Sequence, residues 1–328
     1  MLSATHILLL KEHFIYDKEW YEFENHYWHK IEEDKVLGKM KAYIPFKKHI
    51  PCKEIRAINH LFKRTFDKDP KHLICFTNGV YDFKLHQFRD GDPSDGCTLC
   101  TGIAYIPTYD DELWCYLHKV FPETEDYIQF IKTMNDLFKG KNSIIHGYST
   151  GNHGISTLYR LIDMMYGSYG LPVPRYDLTD KKLYTSDTLL EDLHKNYKGR
   201  YIKFNTSILL FNEDVIYKSI LEFASALICI GTQAINNEKQ KNPILCQSNE
   251  LIFKSQFLDY PNSYANQYHY PIDYKLTKKF PSFAATLMTK LISLQDNPIR
   301  YLYFYHNCIL VLDVTQYILN IYLNIMYL

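Results

Sequence analysis

The stretch Ile144-Ile145-His146-Gly147-Tyr148-Ser149-Thr150-Gly151-Asn152-His153-Gly154-Ile155-Ser156-Thr157-Leu158, continuing to Gly167, decides the fold of this chain. A short apolar run feeds a glycine-rich loop. The loop opens a segment in which Leu158, Leu161, Ile162 and Met165 share one face at helical spacing. Strand, glycine-rich turn and helix in that order are the setting of a phosphate-binding loop, where free backbone N–H groups and the helix dipole converge on an anion. The working pattern of such a loop is G-x-x-x-x-G-K-[ST]. In the matching window, Ser149 to Ser156, Gly154 and Ser156 fit, Ser149 replaces the first glycine and Ile155 stands in place of the lysine. A branched apolar side chain cannot set an ammonium between the β- and γ-phosphates, so triphosphate affinity and transition-state neutralisation should both fall. Taken alone, the loop also reads as a glycine turn before an ordinary helix.

Downstream, Ser207 to Asp214 reads as an apolar strand ending in two acids, which would set Glu213 and Asp214 beside Mg²⁺ and the attacking water. Tyr201 to Phe204 is a rival strand without an acid. Pro243 to Leu251 reads as a further short strand, with Asn249 placed to orient water at the γ-phosphate. Each of these strands alone is equally a piece of core.

Upstream of the loop, Trp20 to Glu33 alternates aromatic and polar residues around an Asn25-His26 turn, the pattern of an antiparallel hairpin. A second strand pair spans Ile74 to Asp95, with turns expected at Asn78-Gly79 and at Gly91 to Pro93. From Glu112 to Leu137 the apolar residues recur at helical spacing, with Leu113, Tyr116, Leu117 and Val120 followed by Tyr127, Phe130, Ile131 and Met134.

Composition bounds the class. The 328 residues are 46% hydrophobic, enough for a real core and two modest domains. Lys+Arg 37 balance Asp+Glu 37, so a nucleic-acid partner must be held by a local basic patch, which argues against a simple DNA-coating protein. Lys239, Lys241, Lys278 and Lys279 are candidates for such a patch, whereas Lys47-Lys48 and Lys181-Lys182 read as solvated faces. Among eight cysteines only Cys97 and Cys100 form a C-x-x-C, without a second pair at zinc spacing, and they read as reduced thiols in a loop entering a strand. The amino-terminal apolar run, Ile7 to Leu10, is too short for a signal peptide or a span. Tyr301 to Leu328 is nearly continuous apolar and aromatic sequence. Asp313 at its centre favours a buried or interfacial helix over a membrane span, and the tail leaves a membrane contact open.

In succession, NGVYDFKLHQFRDGDPSD (Asn78–Asp95), GNHGISTL (Gly151–Leu158), LLFNED (Leu209–Asp214), ILCQSNEL (Ile244–Leu251) and the segment from Phe257 to Leu291 resemble the landmarks of superfamily 3 primase-helicases of large DNA viruses, of the poxvirus type. Trp20 to Glu32 resembles the helper domain that precedes the ATPase in that family. The resemblance covers most of residues 12 to 295. It implies an α/β fold, a P-loop (AAA+-like) nucleotide-binding domain behind a smaller α+β domain. The expected boundaries are 1–138 for the helper domain, 139–296 for a degenerate ATPase domain and 297–328 for the apolar tail.

The resemblance also implies ATP with Mg²⁺ as cofactor. Gly151, Asn152, His153, Gly154, Ile155, Ser156 and Thr157 fall on the nucleotide loop, Ser156 and Glu213 on the metal, and Glu213, Asp214 and Asn249 on the catalytic positions. It further implies DNA as partner, a ring-shaped homo-oligomer, and a cytoplasmic site of viral replication. Two departures cut against full activity. Ile155 replaces the lysine, and the arginine-finger segment expected after Asn249 is missing, since Glu250-Leu251 runs almost directly into Ile252 to Phe257. Such a finger is worth roughly 10³-fold or more in related enzymes. Lys139 and Lys141, just before the loop strand, are the nearest substitutes for the lost ammonium. The tail after Asn297 no longer resembles the family, and its composition fits a shifted reading frame in AT-rich DNA. Three readings therefore stand: an impaired helicase ATPase, a non-catalytic module that joins an active paralogue's ring or DNA, and a vestigial protein without nucleotide binding.

Overall fold

The computed structural model describes residues 4–43, 58–64, 69–70, 72–107, 110–138, 143–148, 153–173, 200–204, 224–231, 249–261 and 267–295. Glu213, Asp214, Gly151, Asn152, Lys139, Lys141 and the tail 297–328 lie outside the described residues. The chain forms two compact units. One comprises Met1–Tyr105 with Asp163–Gly170, and the other Ile106–Ile162 with Leu171–Leu328.

The first unit starts with helix α1 (Ala4–Lys11), then an antiparallel sheet of β1 (Phe14–Asp17), β2 (Glu19–Glu24) and β3 (Tyr27–Ile31), followed by helix α2 (Glu33–Tyr43). The expected Asn25-His26 turn joins β2 to β3, and both residues carry positive φ, +50° and +73°. Two consecutive left-handed residues match the twist of the flanking strands, which is why Asn is favoured there. Leu10, Phe14, Trp20, Val36, Leu37, Met40 and Phe62 close one core over this sheet. A second antiparallel sheet holds β4 (Leu73–Phe76), β5 (Gly79–Asp82) and β6 (Gln87–Arg89). Its first turn is at Thr77-Asn78, because Phe76 already pairs with Gly79. Its second is at 83–86, where the Asp82 carboxylate accepts from the Lys84 and Leu85 amides. Gly91 to Pro93, read as a hairpin turn, instead leads into a 3₁₀ turn at Pro93–Asp95 capped by Asp92.

In the second unit, helix α3 (Asp111–Val120) and helix α4 (Thr124–Phe138) replace the single helical run read at 112–137. Pro122 lies between them and cannot supply the backbone N–H that continuation needs. The Asp110 side chain starts α3 by accepting from the Glu112 and Leu113 amides. The apolar stripes read from sequence are all buried.

Five strands form the central sheet: β7 (Ser143–Tyr148), β8 (Gly170–Val173), β9 (Arg200–Phe204), β10 (Ala224–Gly231) and β11 (Asn249–Ile252), in the order β11-β7-β10-β9-β8. The β7–β10, β9–β10 and β7–β11 pairs are parallel. Helix α5 (Ile155–Tyr166) follows β7. A small parallel pair, β12 (Gln256–Leu258) and β13 (His269–Pro271), precedes helix α6 (Phe280–Gln295).

Helices α3 and α4 fall in the second unit, with the sheet. α4 packs on α6, β7 and β11, Phe121 stacks on Phe130 and meets Phe253, and Tyr116 stacks on Phe283. Among the described residues no helix is long and apolar enough to cross a membrane.

Candidate functional site

β7 lies between β10 and β11, while the next strand in sequence, β8, sits at the far edge of the sheet. Strand order therefore reverses beside β7, and in open parallel sheets ligands settle outside the carboxyl ends of the strands at such a switch point. Three strands finish there at one level, since Tyr148 pairs with both Gly231 and Ile252. The glycine-rich loop leaves β7 at Tyr148 and returns at His153 to start α5.

Local packing fixes the returning arm of the loop. His153 is 6% exposed, and its ring is hydrogen-bonded to the backbone of Ser255 and Phe253, just beyond β11. Burial lowers its pKa, against the opposing effect of those backbone bonds. Gly154 has φ +73°, and a Cβ there would stand 2.8 Å from the Phe257 ring. Its carbonyl accepts from the Leu158 amide at 2.9 Å, so α5 begins immediately after it. The first amides of an α-helix have no intrahelical acceptor. No acidic side chain occupies the first turn of α5, so the positive end of its dipole is not neutralised from within.

Around this start, Ile155 is 7% exposed, Ser156 is exposed and Thr157 half-buried. The residue in the lysine position thus belongs to the core, alongside the buried Leu158 and Tyr159, and does not reach outward. Among the described residues of the loop and first turn, Ser156 is the exposed hydroxyl residue. The arrangement offers an anion backbone amides, a helix dipole and one hydroxyl, without a cation from the loop among the described residues. Among those residues, no group of three or more His, Cys, Asp and Glu side chains is placed to hold a metal ion.

Of the other expected site residues, Asn249 alone lies among the described residues. Asn249 opens β11 and pairs with Ile145, so it lies at the sheet level of Ile145 while the loop departs from Tyr148. That is roughly 10 Å down the strand from the carboxyl ends, at about 3.3 Å per residue. Arg200–Phe204, the run without an acid, is a strand of the sheet, and it is followed in sequence by Asn205, Thr206 and Ser207. Ser207 to Asp214 lies outside the described residues, as do Pro243 to Ser248.

The sequence analysis did not mark β10, although Ala226–Ile230 is an apolar run flanked by small residues, a pattern common in strands of parallel sheets. It is the direct neighbour of the loop strand, and the first polar residues after it in sequence are Thr232 and Gln233.

Residues 8–138 match the family described as D5 N terminal like. The chain is 29% identical over 143 residues to the putative helicase 121R of Invertebrate iridescent virus 3, a match covering 41% of this chain and 15% of that protein. It is 30% identical over 139 residues to the putative helicase L207/L206 of Acanthamoeba polyphaga mimivirus, covering 40% and 14%. The putative helicase 184R of Invertebrate iridescent virus 6 is 31% identical over 114 residues, covering 32% and 12%. The chain therefore matches only a minor part of the length of these curated relatives. Among solved structures, the apo NrS-1 C-terminal region superposes with a TM-score of 0.46 at 11% identity, covering 87% of this chain and 70% of that one. That likeness is too slight to define fold or chemistry. Residues 8–138 thus carry a domain similar to the D5 N terminal like family, and over about two fifths of its length the chain is similar to putative helicases of large DNA viruses.

Proposed function

We propose that this chain is a replication protein of the helicase family that retains a weak nucleotide site and is impaired in ATP hydrolysis. The observation that carries the reading is Ile155, buried at the start of α5 where hydrolysis requires a lysine. Anion-binding features persist around it: the carboxyl-end crevice, the left-handed Gly154, the open first turn of α5 and the exposed Ser156. On this reading Gly151 to Thr157 cradle the phosphates of ATP, with Ser156 and Glu213 as the Mg²⁺ positions. Mg²⁺, when bound, would neutralise phosphate charge. The acid-free end of β9 leaves Glu213 and Asp214 as the nearest following carboxylates in sequence, and Thr232 or Gln233 takes the water-orienting place first assigned to Asn249.

A loop geometry kept without its lysine favours a non-catalytic subunit over an independent motor. Such a chain joins the ring of an active paralogue, or contacts DNA, at the cytoplasmic site of viral replication.

The test is titration with Mg²⁺ and ATP, side by side with Ile155→Lys, followed by single-turnover hydrolysis. Millimolar binding in the native chain, at least tenfold tighter binding in the variant and negligible hydrolysis in the native chain support the reading. Native hydrolysis on the order of 1 s⁻¹, in the range of working phosphoryl-transfer enzymes, would contradict the impairment. Absence of binding in both proteins would remove the nucleotide site altogether.

A further inference from the structure

β12 and β13 run parallel, with Leu258 opposite Pro271, and Ile272 N donates to Leu258 O at 3.2 Å. Parallel pairing brings the carboxyl ends of the two strands together, so Asp259-Tyr260 and Ile272-Asp273-Tyr274 leave the pair at the same end. Tyr260 and Tyr274 are 93% and 75% open to solvent, and among the described residues they are the two exposed Tyr, Phe or Trp side chains. Ile272, beside them, is exposed too.

Tyr274 does not float. Its Oη donates to Asp259 Oδ1, so the residue next to Tyr260 holds the phenol of the other tyrosine. That bond restrains the ring at its edge, and no other ring stacks on Tyr260 or Tyr274 among the described residues. A restrained, open aromatic face gives up less conformational freedom when something stacks on it.

Cations follow at once. Lys275 precedes the 3₁₀ turn Leu276–Lys279 and Lys278 lies within it, both exposed. The acids nearby are already engaged: Asp259 accepts from Tyr274, and Asp273 accepts from Lys275 N and faces Lys279, which also pairs with Glu112 at 2.9 Å. Among the described residues, no carboxylate stands within ion-pair distance of the Lys275 or Lys278 ammonium. Open rings beside unneutralised ammonium groups match a flexible polyanion that carries flat bases, because phosphates meet the lysines while bases stack on the rings. A duplex satisfies only the lysines, since its bases are already stacked on one another. An apolar protein surface would leave both ammonium groups without a partner.

We propose that Tyr260, Tyr274, Lys275 and Lys278 form a docking surface for single-stranded DNA. Bases stack on the two tyrosines, and the two lysines neutralise flanking phosphates. This deepens the DNA-contact branch of the proposed function and rests on that branch alone, independently of nucleotide binding at the glycine-rich loop.

The experiment titrates the full chain, without nucleotide or Mg²⁺, into a fluorescein-labelled oligothymidylate of about 20 nucleotides, longer than a typical single-strand site. Anisotropy is read at several salt concentrations, beside a duplex of the same length. The expected result is salt-sensitive binding, at least tenfold tighter for the single strand than for the duplex. Tyr260→Ala and Tyr274→Ala should each weaken it about fivefold or more, the low end of what one lost base stack costs, while Tyr274→Phe, which keeps the ring, stays within about twofold. Lys275→Ala combined with Lys278→Ala should flatten the slope of log affinity against log salt by about 1.4, at about 0.7 per phosphate contact on a single strand. All four side chains are exposed, so the variants should melt with the native chain. The proposal fails if the single strand does not bind, if the duplex binds equally well, or if the alanine variants bind as the native chain does. With ATP absent, each of those failures leaves the reading of the nucleotide site standing.

Discussion

After β6, the turn at Pro93–Asp95 is closed by polar side chains: Asp92 accepts from Ser94 N, Asp95 accepts from Asp92 N, and Arg89 forks onto both oxygens of Asp95. Before α5, the turn at Gly154 is closed by packing, with Phe257 over the glycine and buried His153 fastened to backbone beyond β11. The first unit thus fixes its connections with carboxylates that sequence displays openly. In the second, the connection at the candidate site is fixed by residues whose role depends on a neighbour about a hundred positions away. The difference also follows the family relationship, because the family domain ends at residue 138, before the glycine-rich loop.

The sharpest way to break this comparison is to load two left-handed glycines, one in each unit. Gly167→Ala would set a Cβ 2.0 Å from Thr101 O, a backbone atom with little freedom to move, at φ +50°. We expect a loss of about 3 kcal/mol or more, from overpacking and left-handed strain together. Arg89→Ala comes next, because it strips the guanidinium from Asp95 and from the mostly buried Asp82, 3.7 Å away. Its partial exposure reduces the effect to about 2 kcal/mol. Gly154→Ala should cost less, roughly 1–2 kcal/mol, because its Cβ meets the edge of a ring that can turn aside. Urea denaturation of the three variants ranks them, and equal losses for the two glycines would erase the distinction between backbone and side-chain closure.

The smallest expected effect concerns protons. His118 and His153, both in the second unit, have pKa values lowered by burial. The unfolded chain therefore binds more protons than the folded one near the ordinary histidine pKa of about 6.5, so their contribution to stability is complete above that value. It is lost progressively as pH falls through 6.5 toward the folded values. Thermal melts between about pH 7.5 and 5.5 should show a falling midpoint, shallower in His153→Asn; identical slopes would show that His153 plays no part.

Much of the local structure was legible. Asn25-His26 marked its hairpin because two consecutive left-handed residues leave few amino acids comfortable, and the stripe Tyr127, Phe130, Ile131 and Met134 marked one buried helix face. Pro122 was visible as a break in the helical run, yet periodicity on either side masked it. The registers of the second β-sheet were less legible, since Asn78-Gly79 and Gly91 to Pro93 carry turn residues one or more positions away from the turns themselves. Tyr201–Phe204 was legible only as a rival strand, because it is a short apolar run of the same kind as Ser207–Asp214, which lies outside the described residues.

Sequence by itself determined the strand, glycine turn and helix order, the loss of the lysine at Ile155 and the kinship with viral helicases, because each depends on neighbours within a few residues or on matched segments. Only tertiary structure decided that β10 separates β7 from β9, that Asn249 starts its strand at the level of Ile145, and that Ile155 belongs to the core. These are pairings across long stretches of chain. Burial and register select them among many alternatives that residue order leaves equally open.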